Sequence, residues 1–380
     1  MAEEKTRVLI DALSARQGGG QTYLVNLLRD ASTYGDLEVF LLAPESLALS
    51  TGASVTRLPV HRCLENPFIR ACWQWLVLPM YLRRFSPDIL FCPGGVISRG
   101  VPESVKVAVT FQNMLPFDRA ATHKYPLGYQ RLRIWLLRRL MMKDFERADL
   151  VICISNYART VLDDALKGRL RKTVVIPHGV ACEFQASPSA ALKRPAWLQG
   201  CEYFLYVSTY DFYKAQIEVV RGFAEFRKTS KRDYRLVLAG PENRAYGQRL
   251  RMEIACLGLG ESVILSGPIP YGQLPALYRH AAINIFASEV ENCPNILMEM
   301  MASGRPAVVS NRLPMPEFGG DAVCYFDPAR PSELADRLTL LLEDTSHMET
   351  LGRLACERSR LFDWMRSARL TWEAISGIAA

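Results

Sequence analysis

Long apolar runs are absent from this sequence of 380 residues. No segment approaches the roughly 18 to 20 consecutive apolar residues that a transmembrane helix requires. The first residues, MAEEKTRVLIDAL, are acidic and then strand-like, and they lack the apolar core and cleavage site of a secretory signal. We therefore expect a cytoplasmic protein that does not cross a membrane.

Clustered metal-binding and redox motifs are missing as well. The ten cysteines are scattered, and because the nearest pair, Cys63 and Cys72, is nine residues apart, no CxxC motif is present. The five histidines show no spacing with each other or with acids that would bind a metal. The pattern predicts a reducing compartment, no metal and no cofactor. Serine-hydrolase elbows and P-loops are also absent.

The composition that remains is that of a globular protein with sizeable cores. Hydrophobic residues make up 49% of the chain and charged residues 22%, which excludes a disordered or fibrous chain. A chain of this length is too long for one compact core and suits two domains.

Short runs rich in Val, Ile and Leu alternate with helical patterns along nearly the whole chain. Such continuous runs are typical of strands buried on both faces of a parallel sheet. The predicted strands are 7–13, 38–43, 88–93, 106–111, 150–155, 173–180, 203–208, 234–240, 262–267, 283–288 and 306–311. They predict an α/β fold of two Rossmann-like, doubly wound domains, 1–181 and 200–360, with a linker at 182–199. A site at the carboxyl ends of the strands, in a cleft between the domains, is the default expectation for such sheets.

The positive charge is concentrated in one stretch of the chain. The net charge is +7, and residues 119–172 contain 13 Lys or Arg against five Asp or Glu. The densest part, RLRIWLLRRLMMK (131–143), is typical of a helix that lies on a membrane surface. The alternative is a core helix whose arginines reach back into water. No nucleic-acid-reading motif accompanies the charge, so we expect no nucleic-acid partner.

The most informative segment is INIFASEVENCPNILMEMMASGRPAVVSN (283–311), which reads as strand, loop, helix and strand. Asn292 or Cys293 is expected to cap the helix, with Pro294 at its first position, where the missing N–H costs nothing. Gly304 is expected to end the helix.

Two acids bracket the start of this helix. Glu291 lies in the loop before it, and Glu299 lies roughly 7.5 Å along its axis with its side chain leaning back toward the start. The free N–H groups and the dipole of a helix start bind phosphate, and flanking carboxylates can accept hydrogen bonds from sugar hydroxyls. Alternatively, Glu299 is solvated or paired with an arginine, since an unpaired buried carboxylate is costly.

The spacing of Glu291, Glu299, Gly304 and Pro306 resembles the signature of the family-4 retaining glycosyltransferases, which have the GT-B fold. FLYVSTYDFYKAQIEVVRGFAEF, LVLAGP, VILSGPIPYGQLPALYRHAAINIFAS and VVIPHGV match further family segments in order and spacing. GGGQTYLVNLL resembles the glycine loop of the N-terminal domain, and FDWMRSARLTWEAI the last helix, so that residues 361–380 are expected to return to that domain.

This resemblance implies a role for each matching residue. Glu291 would contact the donated sugar, Glu299 the ribose and Lys214 the diphosphate, while the backbone of the helix start would hold the phosphates. Glu291 and Lys214 are the implied catalytic residues. The implied donor-binding set is Ser208, Thr209, Lys214, Glu291, Asn292, Cys293, Asn295, Ile296 and Glu299. The implied acceptor-side residues are Gln112, Asn113 and Arg119, and the loop of Gly18, Gly19 and Gly20 would approach a phosphate or the acceptor, or else be a plain flexible loop.

The chain departs from the family pattern at positions that carry charge. The arginine expected five residues before Lys214 is Thr209, the glycine after that lysine is Ala215, and the expected histidine is Gln112. A cation near the phosphates contributes roughly 4 kcal/mol at 4 Å. Another arginine is therefore expected to reach in, and Arg16 and Arg119 are both candidates.

We thus predict a metal-independent retaining glycosyltransferase that uses a UDP- or GDP-sugar. Its acceptor would be a lipid-linked or polysaccharide glycan of the cell envelope, with peripheral contact of residues 131–143 to the inner membrane face. The alternatives are a nucleotide-sugar 2-epimerase of the same fold, a glycoside hydrolase that uses Glu291 and Glu299, and a binder without turnover.

Overall fold

Two parallel β-sheets organise the chain. The structure, a computed structural model, describes residues 5–15, 18–29, 37–45, 47, 55–185, 192–230 and 232–379. The strands are β1 Thr6–Asp11, β2 Leu37–Leu42, β3 Val55–Arg57, β4 Ile89–Cys92, β5 Lys106–Phe111, β6 Leu150–Cys153, β7 Thr173–Val175, β8 Glu202–Val207, β9 Tyr234–Ala239, β10 Val263–Gly267, β11 Ile283–Phe286, β12 Ala307–Ser310 and β13 Cys324–Phe326.

Helices connect most successive strands, as a parallel sheet requires. They are α1 Gly19–Arg29, α2 Pro67–Leu76, α3 Leu78–Phe85, α4 Arg119–Lys124, α5 Tyr129–Arg147, α6 Asn156–Leu166, α7 Gln216–Thr229, α8 Arg244–Cys256, α9 Leu274–His280, α10 Asn295–Ala302, α11 Met315–Gly319, α12 Pro331–Glu343, α13 Thr345–Ser359 and α14 Trp364–Ser376. None of the helices that the structure describes combines the length and the apolarity that a membrane crossing demands.

The predicted α/β class is confirmed, and each of the eleven predicted strands is present. The sequence reading missed β3 and β13, which have three residues each and lie at the edges of their sheets. Each of these two strands has only one buried residue, Val55 in β3 and Phe326 in β13, so neither leaves a continuous apolar run. The central strands are readable because all four residues of β4 and of β11 are buried.

The first compact unit comprises the described parts of Met1–Phe117, Gly128–Gly179 and Trp364–Ala380. Its seven strands have the order β3-β2-β1-β4-β5-β6-β7, and every recorded pair is parallel. The last helix, α14, packs against α1, and the indole N–H of Trp372 donates to the carbonyl of Leu27 at 3.1 Å.

The second compact unit comprises Asp118–Leu127 and the described part of Val180–Asp363. Its six strands have the order β10-β9-β8-β11-β12-β13, again parallel. The sequence boundaries assign 118–127 to the first domain, whereas its packing groups it with the second unit. Residues 186–191 of the predicted linker lie outside the described residues.

In both sheets, the strands that come first in sequence are added on one side of the first strand, and the later strands are added on its other side. In the first unit this change of side lies between β1 and β4, and in the second between β8 and β11. At such a switch point the loops leaving the two strands diverge and open a crevice at their carboxyl ends, where ligands bind. The fold therefore draws attention to the loops that follow β8 and β11.

Candidate active site

The loop that follows β8 is held by its own backbone and by buried tyrosine. The amide of Lys214 donates to the carbonyl of Asp211 at 2.9 Å, and the hydroxyl of Tyr206 donates to the carbonyl of Lys214 at 2.6 Å. The neighbouring strand requires glycine at Gly240, because a Cβ there would lie 2.1 Å from the carbonyl oxygen of Ser208. These contacts place Lys214 at the carboxyl end of the sheet.

The loop that follows β11 runs beside the first loop. The amide of Glu289 donates to the carbonyl of Tyr213 at 2.9 Å, and the hydroxyl of Ser288 donates to the carbonyl of Val290 at 3.2 Å. This link brings the residue after Val290, Glu291, to the level of Lys214.

Lys214 and Glu291 form an ion pair in a largely buried setting. The ammonium group donates to the Glu291 carboxylate, and their side chains are only 10% and 16% exposed. The ammonium also lies over the ring of Tyr213, 4.9 Å from its centre. Burial lowers the pKa of Lys214, but the interactions with Glu291 and Tyr213 outweigh it, so that its pKa is raised. Lys214 therefore stays protonated at neutral pH.

Helix α10 begins one position later than the sequence suggested. The predicted cap positions, Asn292 and Cys293, are wrong: Pro294 occupies the cap position with a ψ of 79° and makes no side-chain capping bond. The amide of Asn295 donates to the carbonyl of Cys293 at 2.9 Å within this turn. The expected end is found, since Ala302 is the last helical residue and Gly304 has a φ of 72°.

Glu299 is buried on α10 with one hydrogen bond among the described contacts. The hydroxyl of Tyr271 donates to its carboxylate at 2.8 Å, while the residue is 7% exposed. Burial raises the pKa of Glu299 to about 7, and the bond from Tyr271 only partly offsets this. A carboxylate has about four acceptor sites, so Glu299 retains capacity for further donors.

The remaining residues predicted for this site differ in exposure. Ser208 and Asn292 are buried, Ile296 is half-buried, and Thr209 is exposed at the position of the expected arginine. The carbonyl of Thr209 accepts a hydrogen bond from the side chain of Gln216 at 2.9 Å. Thr209 therefore supplies no charge.

The predicted acceptor-side residues are divided between the units. In the first unit, a Cβ at Gly20 would lie 3.5 Å from Oε1 of Gln112, so the glycine loop and Gln112 are neighbours. Gly18 has a φ of 68°, Gly19 begins α1, and Asn113 is exposed after β5. Arg119 is exposed at the start of α4, in the second unit, and Arg16 lies outside the described residues.

Sequence reasoning missed four residues around the two loops. Asp211 forms the turn before Lys214, Tyr271 contacts Glu299, and Lys124 and Tyr125 contact the loops from a distant part of the sequence. The aromatic and charged pattern TYDFYK could have singled out Asp211. Nothing in the sequence could have singled out Lys124 and Tyr125, since they are more than 80 residues from their partners.

Within the described ranges, no group of three or more His, Cys, Asp or Glu is arranged to hold a metal ion. The ionisable groups of the described site include Lys214, Glu291 and Glu299. An arrangement of this kind can bind an anion at the lysine and hydroxyl groups at the carboxylates.

Two family descriptions match the chain and together cover most of it. Residues 17–184 match "Glycosyltransferase Family 4", and residues 192–358 match "Glycosyl transferases group 1". The chain is a group 1 glycosyltransferase. The predicted family and enzyme class are thereby confirmed.

Relatives of this glycosyltransferase are themselves named as glycosyltransferases. It is 23% identical over 271 residues to O-antigen chain mannosyltransferase B of Escherichia coli, covering 70% of this chain and 68% of that protein. It is 29% identical over 152 residues to D-inositol 3-phosphate glycosyltransferase of Paenarthrobacter aurescens (strain TC1). That match spans 38% of this chain and only 37% of the relative.

Solved structures show the same fold over the whole glycosyltransferase. Sucrose-phosphate synthase from Thermosynechococcus elongatus superposes with a TM-score of 0.75, at 18% identity, over 99% of both chains. Anabaena HepE in complex with UDP-glucose superposes with a TM-score of 0.72, at 18% identity, over 98% of this chain and 99% of that one. The GT-B fold predicted from the sequence is confirmed.

Proposed function

We propose that this glycosyltransferase transfers a sugar, with retention of anomeric configuration, from a nucleotide diphosphate sugar to a hydroxyl of a lipid-linked or polysaccharide glycan. The observation that carries the proposal is the buried pair of Lys214 and Glu291 in front of α10, with Glu299 buried on the same helix. The UDP-glucose complex of Anabaena HepE supports a nucleotide-sugar donor. The name of the E. coli mannosyltransferase supports a glycan acceptor.

The charges of the site suit the leaving diphosphate. Lys214 would neutralise the charge that develops on the diphosphate as the bond to the sugar breaks, and this selective stabilisation is what lowers a barrier. Glu291 would then exchange part of its contact with Lys214 for sugar hydroxyls. The carboxylate of Glu299, with its unused acceptor sites, would receive the ribose hydroxyls. In this scheme the protein positions the reactants and the leaving phosphate helps to deprotonate the acceptor hydroxyl.

The exposed apolar surface of the first unit supports contact with a membrane-bound acceptor. On α5, Ile134 and Met141 face the core, whereas Trp135 and Leu136 are about half exposed beside cationic residues. The guanidinium of Arg139 lies 4.3 Å from the centre of the Trp135 ring. Aromatic and basic residues on one exposed helix face are typical of interfacial helices. We propose that α5 contacts the inner face of the membrane.

A second helix of the first unit has a similar character. Helix α2 has no buried residue, and Phe68 and Trp75 on it are 70% and 59% exposed. The sequence did not single this helix out, because its apolar residues resemble a core pattern. We include α2 in the proposal as a second exposed apolar element of the first unit.

A nucleotide-sugar panel tests the proposed reaction. The protein is incubated with UDP-glucose, UDP-galactose, UDP-N-acetylglucosamine and GDP-mannose, with and without a membrane lipid extract, and nucleotide release is followed. We expect one donor to release nucleoside diphosphate faster with the extract, and the product to show the donor's anomeric configuration by NMR. Inversion, release of a C2-epimer, or hydrolysis of a glycoside without nucleotide would each contradict the proposal.

A further inference from the structure

Ten residues from the first half of the sequence belong to the unit that carries the candidate site. This 118–127 segment leaves the first unit after Phe117 and rejoins it at Gly128. Its short helix, α4, is capped by Asp118, whose carboxylate accepts from the amide of Ala121 at 2.8 Å. The segment is thus a structured element of the second unit, and its contacts there show what it does.

Tyr125 contacts the loop that carries Lys214. Its hydroxyl donates to the carboxylate of Asp211 at 2.9 Å, and its ring packs against Phe212 with the ring centres 5.2 Å apart. Tyr125 is only 3% exposed. Burial and the charge of Asp211 raise the pKa of Tyr125 far above its ordinary value, so its hydroxyl remains a donor at any working pH.

Asp211 transmits this contact to Lys214. One carboxylate oxygen accepts from Tyr125 and the other accepts from the amide of Phe212 at 2.8 Å. The carbonyl of Asp211 accepts from the amide of Lys214 at 2.9 Å. Since both ends of Asp211 are engaged, the hydroxyl of Tyr125 fixes the turn that presents Lys214.

Lys124 contacts the second loop. Its ammonium group donates to the carboxylate of Glu289, two residues before Glu291, and the amide of Glu289 bonds to the first loop. Neighbouring Lys124 and Tyr125 therefore bind one loop each. The segment ties together the two loops whose side chains, Lys214 and Glu291, form the buried ion pair.

We propose that the 118–127 segment is a positioning element of the donor site, in which Tyr125 acts through Asp211 to hold Lys214 in place for a diphosphate. The proposal rests on the function proposed above, because it assigns the diphosphate to Lys214. Because Thr209 stands in place of the expected arginine, the proposal gives Lys214 a larger share in binding the diphosphate, and its position matters accordingly.

The comparison of di- and monophosphates tests this role. UDP, GDP, UMP and GMP are titrated into the wild-type protein and Tyr125→Phe by calorimetry. In the proposed binding mode, Lys214 contacts the second phosphate of a diphosphate, which a monophosphate lacks. We expect Tyr125→Phe to lower the affinity for the bound diphosphate by about tenfold, the scale of one hydrogen bond to a charged group, and to change the affinity for its monophosphate by less than about twofold.

Matched variants separate positioning from stability. Tyr129→Phe removes a hydroxyl from a tyrosine that is 67% exposed on α5, and it should change neither affinity. The double variant Asp211→Asn with Tyr125→Phe should bind diphosphate no more weakly than the weaker-binding single variant, because Tyr125 acts on Lys214 through Asp211. If Tyr125→Phe left both affinities unchanged, or lowered the affinities for diphosphate and monophosphate by the same factor, the positioning role would be overturned.

Amide hydrogen exchange reads the same role without a nucleotide. Tyr125→Phe should speed exchange at the amides of Phe212 and Lys214, while the amides of β9 keep their protection. If the wild-type protein bound none of the four nucleotides, the proposed function would fail. The exchange data alone would then test the positioning role, and unchanged protection of the Lys214 amide in Tyr125→Phe would refute it.

Discussion

The two units share one strand order over six strands, but different side chains meet in the described loops at their switch points. In the second unit, the loops after β8 and β11 meet through Lys214 and Glu291. In the first unit, the equivalent loops after β1 and β4 meet at Ser14 and Gly94, where a Cβ on the glycine would lie 2.4 Å from the serine hydroxyl. The same topology thus brings different side chains together in the two units, a buried ion pair in one and a serine beside a glycine in the other.

The buried acids of the two units differ in the same way. Asp11, at the end of β1, accepts hydrogen bonds from Gln74 at 2.7 Å, from the amide of Leu13 at 3.4 Å and from Ser98 at 3.5 Å. Glu299 accepts one, from Tyr271, among the described contacts. Burial raises the pKa of both acids. With one hydrogen bond against three, Glu299 has more unused acceptor sites for a ligand than Asp11 has.

The largest expected effect comes from removing the charge that distinguishes the second switch point. Lys214→Met should lower donor turnover by about a thousandfold, because a cation about 4 Å from a diphosphate contributes roughly 4 kcal/mol. Steady-state kinetics with the active donor measures this. The matched change in the first unit, Ser14→Ala, should leave the donor KM unchanged. Near-normal turnover in Lys214→Met would show that Lys214 does not neutralise the diphosphate.

The two buried acids should respond to pH in different ways. The folded pKa of Glu299 is about 7 against an ordinary 4.5, so its ionisation costs folding energy as pH rises through this window, and the full cost is present above pH 7. Glu299→Gln should therefore stabilise the free protein by about 3 kcal/mol at pH 8 and by about 1 kcal/mol at pH 5. The same variant should weaken donor binding by about 1.5 to 3 kcal/mol.

Urea unfolding at the two pH values and donor titration measure these opposite effects. Asp11→Asn is the matched change in the first unit. It should leave donor binding unaltered, because that acid already has its hydrogen bonds within the protein. Stabilisation of Glu299→Gln that did not grow from pH 5 to pH 8 would show that the carboxylate is not desolvated.

The proposed membrane contact gives a third contrast, between exposed cations on α5 of the first unit and exposed cations of the second unit. Replacing both Arg133 and Arg139 on α5 by Gln should weaken binding to anionic phospholipid vesicles by about 2 kcal/mol, at roughly 1 kcal/mol for each cation. Vesicle sedimentation measures this. Replacing Arg251 and Arg353, exposed cations of the second unit, by Gln is the matched control and should have no effect. Equal partitioning of all the proteins would remove the membrane proposal.

The smallest expected effect concerns the backbone beside Lys214. Ala215 has a φ of 54°, a conformation that costs a non-glycine residue about 1 to 2 kcal/mol, but its methyl group is fully buried, which is worth about 0.8 kcal/mol. Ala215→Gly should therefore stabilise the protein by only about 0.5 kcal/mol in urea unfolding, with the strain and the lost methyl largely cancelling. Ala224→Gly, inside α7, should instead destabilise it by about 1 kcal/mol.

Most of the fold was readable from the sequence, and the site was readable in part. Buried strands such as β4 and β11 leave continuous apolar runs, whereas β3 and β13 have one buried residue each and leave none. The spacing of Glu291 and Glu299 is local to one loop and one helix, so the sequence could show it. The cap of α10 was misassigned because Pro294 adopts a non-helical ψ that its position in the sequence does not reveal.

The sequence by itself determined the class of fold, the family and the acids around α10, because periodicity and motif spacing act over a few turns of chain. Only the tertiary structure decided that Lys214 pairs with Glu291, that Tyr271 contacts Glu299, and that the 118–127 segment packs on the second unit. Each of these contacts joins residues far apart in sequence, and such contacts follow from how strands are ordered in a sheet rather than from any local pattern.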